Sequence, residues 1–172
     1  MTDPVYITYH DEEWGRPLKG DDEVFERVSL EAFQSGLSWL TILRKRENFR
    51  AAFDRFSIPK VAAYSEQDVE RLLGDAGIIR NRAKIEAAIS NARAALDLPD
   101  GLSELVWRHA DPDAPVPRTM ADVPAVTPGS KALAKELKKH GFKFVGPTTA
   151  YALMQAIGLV NDHVEDCLAR TR

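Results

Sequence analysis

One acidic residue occupies a position that the hydrophobic periodicity assigns to a buried helix face. Glu31 follows Val24 by seven residues and Val28 by three, so a helix places its carboxylate on the same stripe as these apolar side chains. A carboxylate in an apolar pocket can accept hydrogen bonds from a ligand's amine and complement a positive charge. The simpler interpretation, which the pattern alone favours, is a glutamate whose carboxylate is capped or reaches solvent at the stripe's edge.

Aromatic residues accompany this glutamate in the sequence. Trp39 lies eight residues after Glu31, and the N-terminal segment supplies Tyr6, Tyr9 and Trp14. Rings of this kind are more often part of a hydrophobic core than of a ligand site. Aromatic rings beside a buried acid are nevertheless what an enzyme needs to hold a flipped-out, electron-poor base.

Two further residues have the spacing of metal ligands. His163 and Cys167 are four residues apart, which on a helix would place one above the other and suit two ligands of one ion. A buried histidine beside an inert thiol is the commoner meaning of such a pair. A structural zinc site would need two more ligands; His10 is a candidate for one of them, and Cys167 is the only cysteine in the sequence.

The composition is that of a single globular domain. The chain has 172 residues, of which 44% are hydrophobic and 28% charged, which excludes a disordered chain, collagen and a coiled coil. The start carries no basic segment followed by an apolar stretch, and one cysteine cannot form an internal disulfide, so we expect a cytoplasmic protein. The uncharged stretch 144–161 contains glycine, proline and polar residues, which indicates a buried element rather than a membrane span.

The net charge of −3 argues mildly against nucleic-acid binding, but the charges are unevenly distributed. Between Lys131 and Gly146 there are five lysines and one acid, a local charge of +4. A run of this kind is usually a solvated helix face. A phosphate site, however, needs only a local patch of positive charge.

Hydrophobic periodicity predicts helices along nearly the whole chain, and therefore an all-α fold. The first predicted helix is capped by Asp21 and Asp22 and stops at Gly36, and the second runs from Ser38 through Phe53. The next follows a Ser65 capping box up to Gly74, and another follows Asn81 with Ile85, Ala88, Ile89, Ala92 and Leu96 facing inward. A short helix at about 102–108 and a final pair complete the prediction. Only Val5 to Tyr9 alternates like a strand. The proline-rich stretch at about 99–128 is predicted to be a mostly irregular connection.

The final pair of helices predicts a helix-hairpin-helix motif at about 130–158. Ser130 is the expected cap of the first helix, which stops at Gly141, and Pro147 begins a second helix that stops at Gly158. The short connection GFKFVG offers backbone N–H groups and a helix N-terminus, which favour an anion such as a DNA phosphate. Many helical pairs have glycine turns and bind nothing, so the topology alone leaves the function open.

Longer segments resemble a known family. YHDEEWG (9–15), LEAFQSGLSW (30–39), RENFRAAF (46–53), DAGIIRNRAKI (75–85) and GFKFVGPTTAYALMQAIGLVNDH (141–163) are similar to bacterial DNA-3-methyladenine glycosylase I. The resemblance implies that residues 1–172 form one compact helical domain of the helix-hairpin-helix DNA glycosylase type. It also implies a monomeric enzyme, with no membrane partner, that excises 3-methyladenine from double-stranded DNA containing alkylated adenine.

The resemblance also implies roles for individual residues. Glu31 matches the family's pocket glutamate, Tyr9 a pocket tyrosine, and Trp39 and Tyr6 its aromatic walls. Contacts with DNA are expected from Gly36, Leu37, Lys143, Gly146 and Thr148. The residues matching three of the family's four structural zinc ligands are His10, His163 and Cys167. The fourth is a cysteine upstream of the first histidine, and the nine residues before His10 contain none.

Three alternatives stay open on the sequence. The chain is a helix-hairpin-helix DNA-binding module without activity, a glycosylase for a different alkylated purine, or a helical domain in which these residues are ordinary packing. The position of a catalytic acid is open too. Related glycosylases place an aspartate after the hairpin, and here the matching position is Asn161, with Asp162 beside it.

Overall fold

Residues 2–172 are described by a computed structural model in which every regular element is helical. The α-helices are α1 (Pro4–Glu12), α2 (Asp21–Gln34), α3 (Trp39–Ala52), α4 (Ile58–Ala62), α5 (Glu66–Leu73), α6 (Arg82–Leu96), α7 (Leu102–Trp107), α8 (Pro128–Lys139) and α9 (Pro147–Ile157). Short 3₁₀ turns cover Asp54–Phe56, Met120–Asp122 and Leu168–Thr171. The all-α prediction is confirmed. None of the helices within residues 2–172 is both long enough and apolar enough to cross a membrane.

Helix α2 lies at the centre of the fold and packs against α3, α7 and α9. Its stripe of apolar side chains is fully buried, including Phe25 and Phe33. Rings from the α3 region complete an aromatic cluster, in which Phe33 lies 4.8 Å from Phe49, and Phe53 stacks on Phe56 at 5.4 Å. Aromatic side chains dominate core energetics because each removes a large apolar area from water. This cluster fixes α2, and therefore every functional residue that α2 carries.

The prediction of a strand at Val5 to Tyr9 is wrong, because these residues belong to α1. Asp3 caps the helix by accepting a hydrogen bond from the Val5 N–H at 2.9 Å, and Pro4 occupies the first turn. With no strand within residues 2–172 to pair with, an isolated strand here would leave its backbone groups unsatisfied. The helix instead turns one face, with Tyr9, toward α3.

Most predicted helix ends are confirmed, and three details are wrong. Neither Asp21 nor Asp22 caps α2, because both lie inside its first turn and the N-cap is Gly20, which makes no side-chain hydrogen bond. Ser38 and Asn81 cap α3 and α6 through their side chains, and Ser65 forms its capping box. The cap of α8 is Thr127 rather than Ser130, which sits at the third helical position and completes a capping box. Leu96, expected inward, is 53% exposed because it is the last residue of α6, beyond the packed part of the helix.

The connection between α3 and α4 has a conformation that the sequence did not indicate. Asp54, Arg55 and Phe56 have φ values of 50°, 52° and 57°, in a region that residues other than glycine rarely adopt. Burial of the Phe56 ring and a hydrogen bond from the Tyr64 hydroxyl to the Asp54 carboxylate hold this turn in place. The turn reverses the chain so that α4 packs against α6.

Helices α8 and α9 pack against each other across the connection 140–146. Asn91 of α6 clamps this connection by accepting a hydrogen bond from the Lys143 N–H at 2.8 Å and donating one to its carbonyl at 3.0 Å. Gly158 ends α9 in the left-handed conformation, with φ of 84°. A Cβ there would lie 2.7 Å from the Pro17 nitrogen, so only glycine fits. The stretch 99–128 contains α7 and the Met120–Asp122 turn and is otherwise irregular.

Candidate base pocket and metal site

A cavity of about 390 Å³ lies where α1, α2, α3 and the segment after α9 meet. Its volume falls in the range of roughly 300–1,000 Å³ that is typical of small-ligand sites. The cavity is lined by Tyr6, Tyr9, His10, Trp14, Glu31, Gln34, Trp39, Met120, Val123, Ala152, Gln155, Asp162, His163, Val164 and Cys167. Every pocket residue and every metal ligand expected from the sequence therefore lies on the same cavity.

Glu31 is the acidic residue of the cavity wall on α2, and it is 6% exposed. Burial raises the pKa of its carboxyl to about 8, and the positive charge of Arg27 opposes this rise. No hydrogen bond from another described residue is among the causes that raise or lower this pKa. A buried carboxyl that lacks a partner of its own and lines a cavity is suited to receive a hydrogen-bond donor or a cation from a ligand.

Aromatic rings form the wall beside Glu31. The Tyr9 ring lies 5.3 Å from the Trp39 ring at an interplanar angle of 46°, and Tyr6 lines the same cavity. Burial raises the pKa of the Tyr9 hydroxyl well above its ordinary value, so it stays protonated and able to donate. The site combines planar apolar walls with a polar end, as required for a flat heterocycle.

Behind Tyr9 lies an ion-pair network that the sequence analysis did not find. Glu13 accepts hydrogen bonds from Arg46 at 2.6 and 2.8 Å and from Arg27 at 2.7 Å. Burial acts to raise the pKa of Glu13, but these hydrogen bonds outweigh it and hold the pKa at about 2. Both guanidinium groups also face the Tyr9 ring, at 5.7 and 6.0 Å from its centre. None of these three residues lines the cavity, so the network contacts Tyr9 from outside it.

Asp162 and Asn161 have different surroundings, which the sequence could not distinguish. Asp162 is 4% exposed and lines the cavity, and its Oδ2 accepts hydrogen bonds from the Tyr151 hydroxyl and from Gln155 Nε2 at 3.0 Å. Neither bond uses Oδ1. Asn161 does not line the cavity, and its Oδ1 lies 2.9 Å from Nδ1 of His163. Of the two residues, only Asp162 is placed to meet a ligand.

The His163 and Cys167 pair does not lie on a helix, contrary to the sequence prediction. Residues 161–167 form an irregular segment with one turn between α9 and the last 3₁₀ turn. The fold still brings the ligand atoms together, since those of His10, His163 and Cys167 all lie within 4.8 Å of one another. A tetrahedral zinc ion with bonds of about 2.0–2.3 Å needs its ligand atoms roughly 3.3–3.8 Å apart. The Cys167 Sγ is 3.9 Å from Nε2 of His10.

Each histidine has an outer partner at Nδ1; Nε2 of His10 faces Cys167, whereas Nε2 of His163 lies 3.1 Å from the His10 carbonyl oxygen. Nδ1 of His10 is 2.8 Å from the Asp11 carboxylate, and Nδ1 of His163 faces Asn161. Outer partners of this kind orient ligand histidines and fix their tautomers. Trp14 covers the group, with its ring 5.9 Å from that of His10 and 4.8 Å from that of His163. The donor set of these three residues fits a zinc ion once Nε2 of His163 exchanges the His10 carbonyl for the metal, and a fourth ligand is not found among residues 2–172.

The residues expected to contact DNA lie on the surface. Leu37 is 37% exposed in the turn between α2 and α3, next to Gly36 with φ of 80°. At the hairpin, Lys143, Gly146 and Thr148 are exposed, and so are four other lysines of the basic segment. Phe144 at the tip is 44% exposed with φ of 59°. These positions are accessible to a large ligand.

Sequence reasoning missed several cavity residues. Gln34 and Gln155 add polar groups, and Met120 and Val123 add an apolar wall from the proline-rich stretch. Gln34 lies three residues after Glu31 on α2, so helical periodicity could have predicted its place on the same cavity wall. Met120 carried no signal, because its segment reaches the cavity through a long connection. That segment is tied to the C-terminal region by a hydrogen bond from the Glu165 N–H to the Pro117 carbonyl at 2.8 Å.

Together, the all-helical architecture, the exposed basic hairpin of α8 and α9 and the aromatic cavity with a buried acid define a helix-hairpin-helix DNA glycosylase. The family model described as "Methyladenine glycosylase" matches residues 1–171. The chain belongs to the methyladenine glycosylase family.

Individual relatives agree with this assignment. The chain is 52% identical to DNA-3-methyladenine glycosylase 1 of Escherichia coli over 170 residues, which cover 96% of this chain and 91% of the relative. It is 43% identical to DNA-3-methyladenine glycosylase of Haemophilus influenzae, over 97% and 93% of the two chains. A solved structure of 3-methyladenine DNA glycosylase I from Staphylococcus aureus, described as showing the structural basis of 3-methyladenine recognition, superposes with a TM-score of 0.96. That chain is 36% identical, and the match covers 100% of this chain and 94% of that one.

Proposed function

We propose that this protein excises 3-methyladenine from alkylated double-stranded DNA as a monofunctional glycosylase of base excision repair. The observation that carries the proposal is a buried carboxyl, Glu31, on the wall of a cavity lined by Tyr6, Tyr9 and Trp39. Methylation at N3 gives the adenine of a deoxynucleoside a positive charge, so a carboxylate among aromatic rings complements both its charge and its shape. The names of the relatives support the same substrate.

Recognition accounts for much of the catalysis in this proposal. The cationic base is already a good leaving group and needs little help from a general acid. Extruding the nucleotide costs a few kcal/mol, least for a damaged base. Once inside, the base stacks against the rings of Tyr9 and Trp39, and its exocyclic amine donates to Glu31. Fixing the cation in this position also positions the glycosidic bond for attack by water.

Bond cleavage moves positive charge from the base to the sugar, and water then adds at C1′ to leave an abasic site. We propose that Asp162 stabilises this charge, because its carboxylate lines the cavity and Tyr151 and Gln155 hold it by one oxygen. A fixed carboxylate aimed at developing charge needs no reorganisation during the reaction. Asn161 orients His163 instead.

The direct test is incubation of the purified protein with methylated duplex DNA, followed by chromatography of the free bases. We expect release of 3-methyladenine. Release of a different methylated purine would favour a glycosylase of other specificity. DNA binding that weakens with salt, without release of any base, would favour an inactive DNA-binding module.

The role of Asp162 predicts a loss of rate without a loss of binding. Asp162→Asn keeps acceptors for Tyr151 and Gln155 but removes the charge, so single-turnover excision should fall at least about tenfold. Affinity for free 3-methyladenine should change by less than about twofold. Asp113→Asn, at an exposed aspartate outside the cavity, is the matched control. Excision at the native rate in Asp162→Asn would remove Asp162 from the reaction.

DNA binding is proposed to use two surfaces. Leu37, supported by Gly36, is exposed where it could fill the gap left by an extruded nucleotide. Lys143, Gly146 and Thr148 offer a positive charge and backbone N–H groups at the N-terminus of α9, which suit a DNA phosphate. Because one chain supplies the whole cavity and both surfaces, we expect the protein to act as a monomer. We also expect it to act in the cytoplasm.

We propose that His10, His163 and Cys167 hold a zinc ion in a structural role. An ion there would join α1 to the segment that follows α9, and these two elements carry Tyr9 and Asp162 on the cavity wall. The support is the convergence of one thiol and two imidazoles with oriented outer partners. Zinc supplies no hydrolytic chemistry in this proposal; it would stabilise the wall that the base contacts.

Elemental analysis tests the metal. We expect about one zinc per chain in protein expressed with zinc, and much less in Cys167→Ser, because removing one of three protein ligands weakens the site strongly. A chelator should lower the melting temperature of the native protein but not that of Cys167→Ser. His140→Ala, at an exposed histidine outside the group, should keep its zinc. Native protein that lacks zinc after expression with zinc would contradict the proposal.

A further inference from the structure

Lys84 is a cation that the proposed reaction does not use, and it holds the end of the helix that carries Glu31. Its Nζ donates hydrogen bonds to the Phe33 carbonyl at 2.9 Å and to the Ser35 carbonyl at 2.6 Å. The Phe33 carbonyl belongs to the last turn of α2, where carbonyl groups lack partners within the helix. The Ser35 carbonyl lies beyond the helix, so Lys84 joins α2 to the turn that follows it.

The turn between α2 and α3, residues 35–38, has no buried side chain to anchor it. All four of its residues, Ser35, Gly36, Leu37 and Ser38, are exposed. Segments with few buried apolar contacts are the ones that open most easily, because little free energy is lost when they move. The conformation of this turn therefore depends on its hydrogen bonds.

Local hydrogen bonds give the turn its shape, and Lys84 ties it to the rest of the fold. The Leu37 N–H donates to the Gln34 carbonyl at 2.7 Å, and Gln34 Nε2 donates to the Leu37 carbonyl at 2.5 Å. Ser38 caps α3. These bonds join residues close together in the sequence. Among residues 2–172, the hydrogen bond that links this turn to a distant segment comes from Lys84, forty-nine residues after Ser35.

The backbone of Lys84 is itself held by the core. Lys84 lies in the first turn of α6, next to Ile85, whose side chain is fully buried. The Lys84 N–H donates to the Asn81 side chain, which caps the helix, at 3.1 Å. Helix α6 packs against α2, α4 and α5. The ammonium group therefore extends from an ordered backbone to a turn that lacks an anchor of its own.

We propose that Lys84 is a positioning residue for Leu37: by holding the Ser35 carbonyl, it keeps the turn 35–38 in the one conformation that presents Leu37 to DNA. The inference rests on the proposed role of Leu37 in filling the gap left by an extruded nucleotide. A side chain enters such a gap at lower cost when its backbone is already ordered, because less conformational entropy is lost on binding. Gln34 lines the cavity and bonds to Leu37, so the same turn borders the base site.

The first measurement is made without DNA, by NMR relaxation of the backbone amides of Gly36 and Leu37. In native protein we expect order parameters of about 0.8, typical of an ordered backbone. In Lys84→Met, which keeps most of the side-chain length without the donors, they should fall toward about 0.6. Lys84→Arg, which keeps a charge and donors, should return them toward the native values. Lys60→Met, at an exposed lysine of α4, is the matched control and should not change them.

Single-turnover excision of 3-methyladenine from methylated duplex DNA is the second measurement. The rate should fall about tenfold in Lys84→Met, while affinity for the free base changes by less than about twofold, because the cavity is unchanged. In a Leu37→Ala background, Lys84→Met should cause less than about a twofold further loss, since its effect passes through Leu37. A full tenfold loss in both backgrounds would show that Lys84 acts independently of Leu37 and would overturn the inference.

A direct contact between Lys84 and a DNA phosphate is the competing explanation. Removing such a contact lowers the affinity for undamaged duplex and reduces the salt slope of binding by about one. We expect neither change in Lys84→Met, because the native ammonium group already donates to two carbonyls. A reduced salt slope would overturn the inference.

Native order parameters in folded Lys84→Met would also overturn it. If that variant does not fold, Lys84→Gln, which removes the charge and shortens the reach to the carbonyls, is judged by the same order parameters and rates. A turn that loses order in Lys84→Met, in a protein whose native form releases no base, would contradict the proposed function and leave the positioning of the turn established.

Discussion

Replacing Glu31 by glutamine should lower the single-turnover rate of 3-methyladenine excision by roughly two to three orders of magnitude. Glutamine keeps the shape and an acceptor oxygen but loses the negative charge opposite the cationic base. A hydrogen bond involving a charged group contributes about 1.5–3 kcal/mol, and a nearby opposite charge adds to this in a buried site. Each ~1.4 kcal/mol corresponds to a tenfold change in rate. The measurement is chromatographic release of the free base from methylated duplex DNA.

Glu23→Gln is the matched control, because Glu23 lies on the same helix but is exposed and away from the cavity. It should excise at the native rate. Glu31→Gln should also bind undamaged duplex as well as native protein does, since the exposed hairpin lysines are unchanged. An excision rate in Glu31→Gln within a few-fold of native would exclude Glu31 from recognition of the base.

The same substitution should stabilise the protein at alkaline pH. The pKa of Glu31 is raised by burial from an ordinary value of 4.5 to about 8, so between these values the folded chain binds a proton that the unfolded chain does not. Stability due to this group is therefore greatest below about pH 4.5 and decreases as pH rises to about 8. Glutamine does not titrate. We expect the free energy of unfolding of Glu31→Gln to exceed that of native protein at about pH 9 by on the order of a few kcal/mol.

Denaturant unfolding of both proteins across this pH range measures the effect. The two free energies of unfolding should be similar at about pH 5 and diverge as pH rises, because the other titrating groups are common to both proteins. A difference that stays constant with pH would show that Glu31 is not buried as a neutral acid. If the two free energies of unfolding diverge, Glu31 destabilises the folded protein at alkaline pH. Such a cost is expected of a residue that serves ligand binding rather than stability.

Local sequence patterns were sufficient to predict most of the helices, though not α1 or α4. The apolar spacing along α2 and the caps at Ser38, Ser65 and Asn81 act between residues a few positions apart, so their physical effect can be read from the sequence. The same spacing placed Glu31 on a buried stripe. Where local patterns were weak, tertiary contacts determined the secondary structure and the burial of individual residues. Val5 to Tyr9 alternate like a strand, yet they form part of α1. Leu96 fits the inward face of α6, yet it is exposed at the end of that helix.

The sequence by itself, through its periodicity and its resemblance to a family, determined the helical class of fold and the residues expected around a base. Only the tertiary structure decided how charges from distant segments combine. Glu13 meets Arg46 across thirty-three residues, and His10 approaches Cys167 across one hundred and fifty-seven. The sequence could not choose between Asn161 and Asp162, and the fold turns only the second toward the cavity. Protonation states and metal sites depend on distances and burial, which arise from long-range packing that local patterns do not encode.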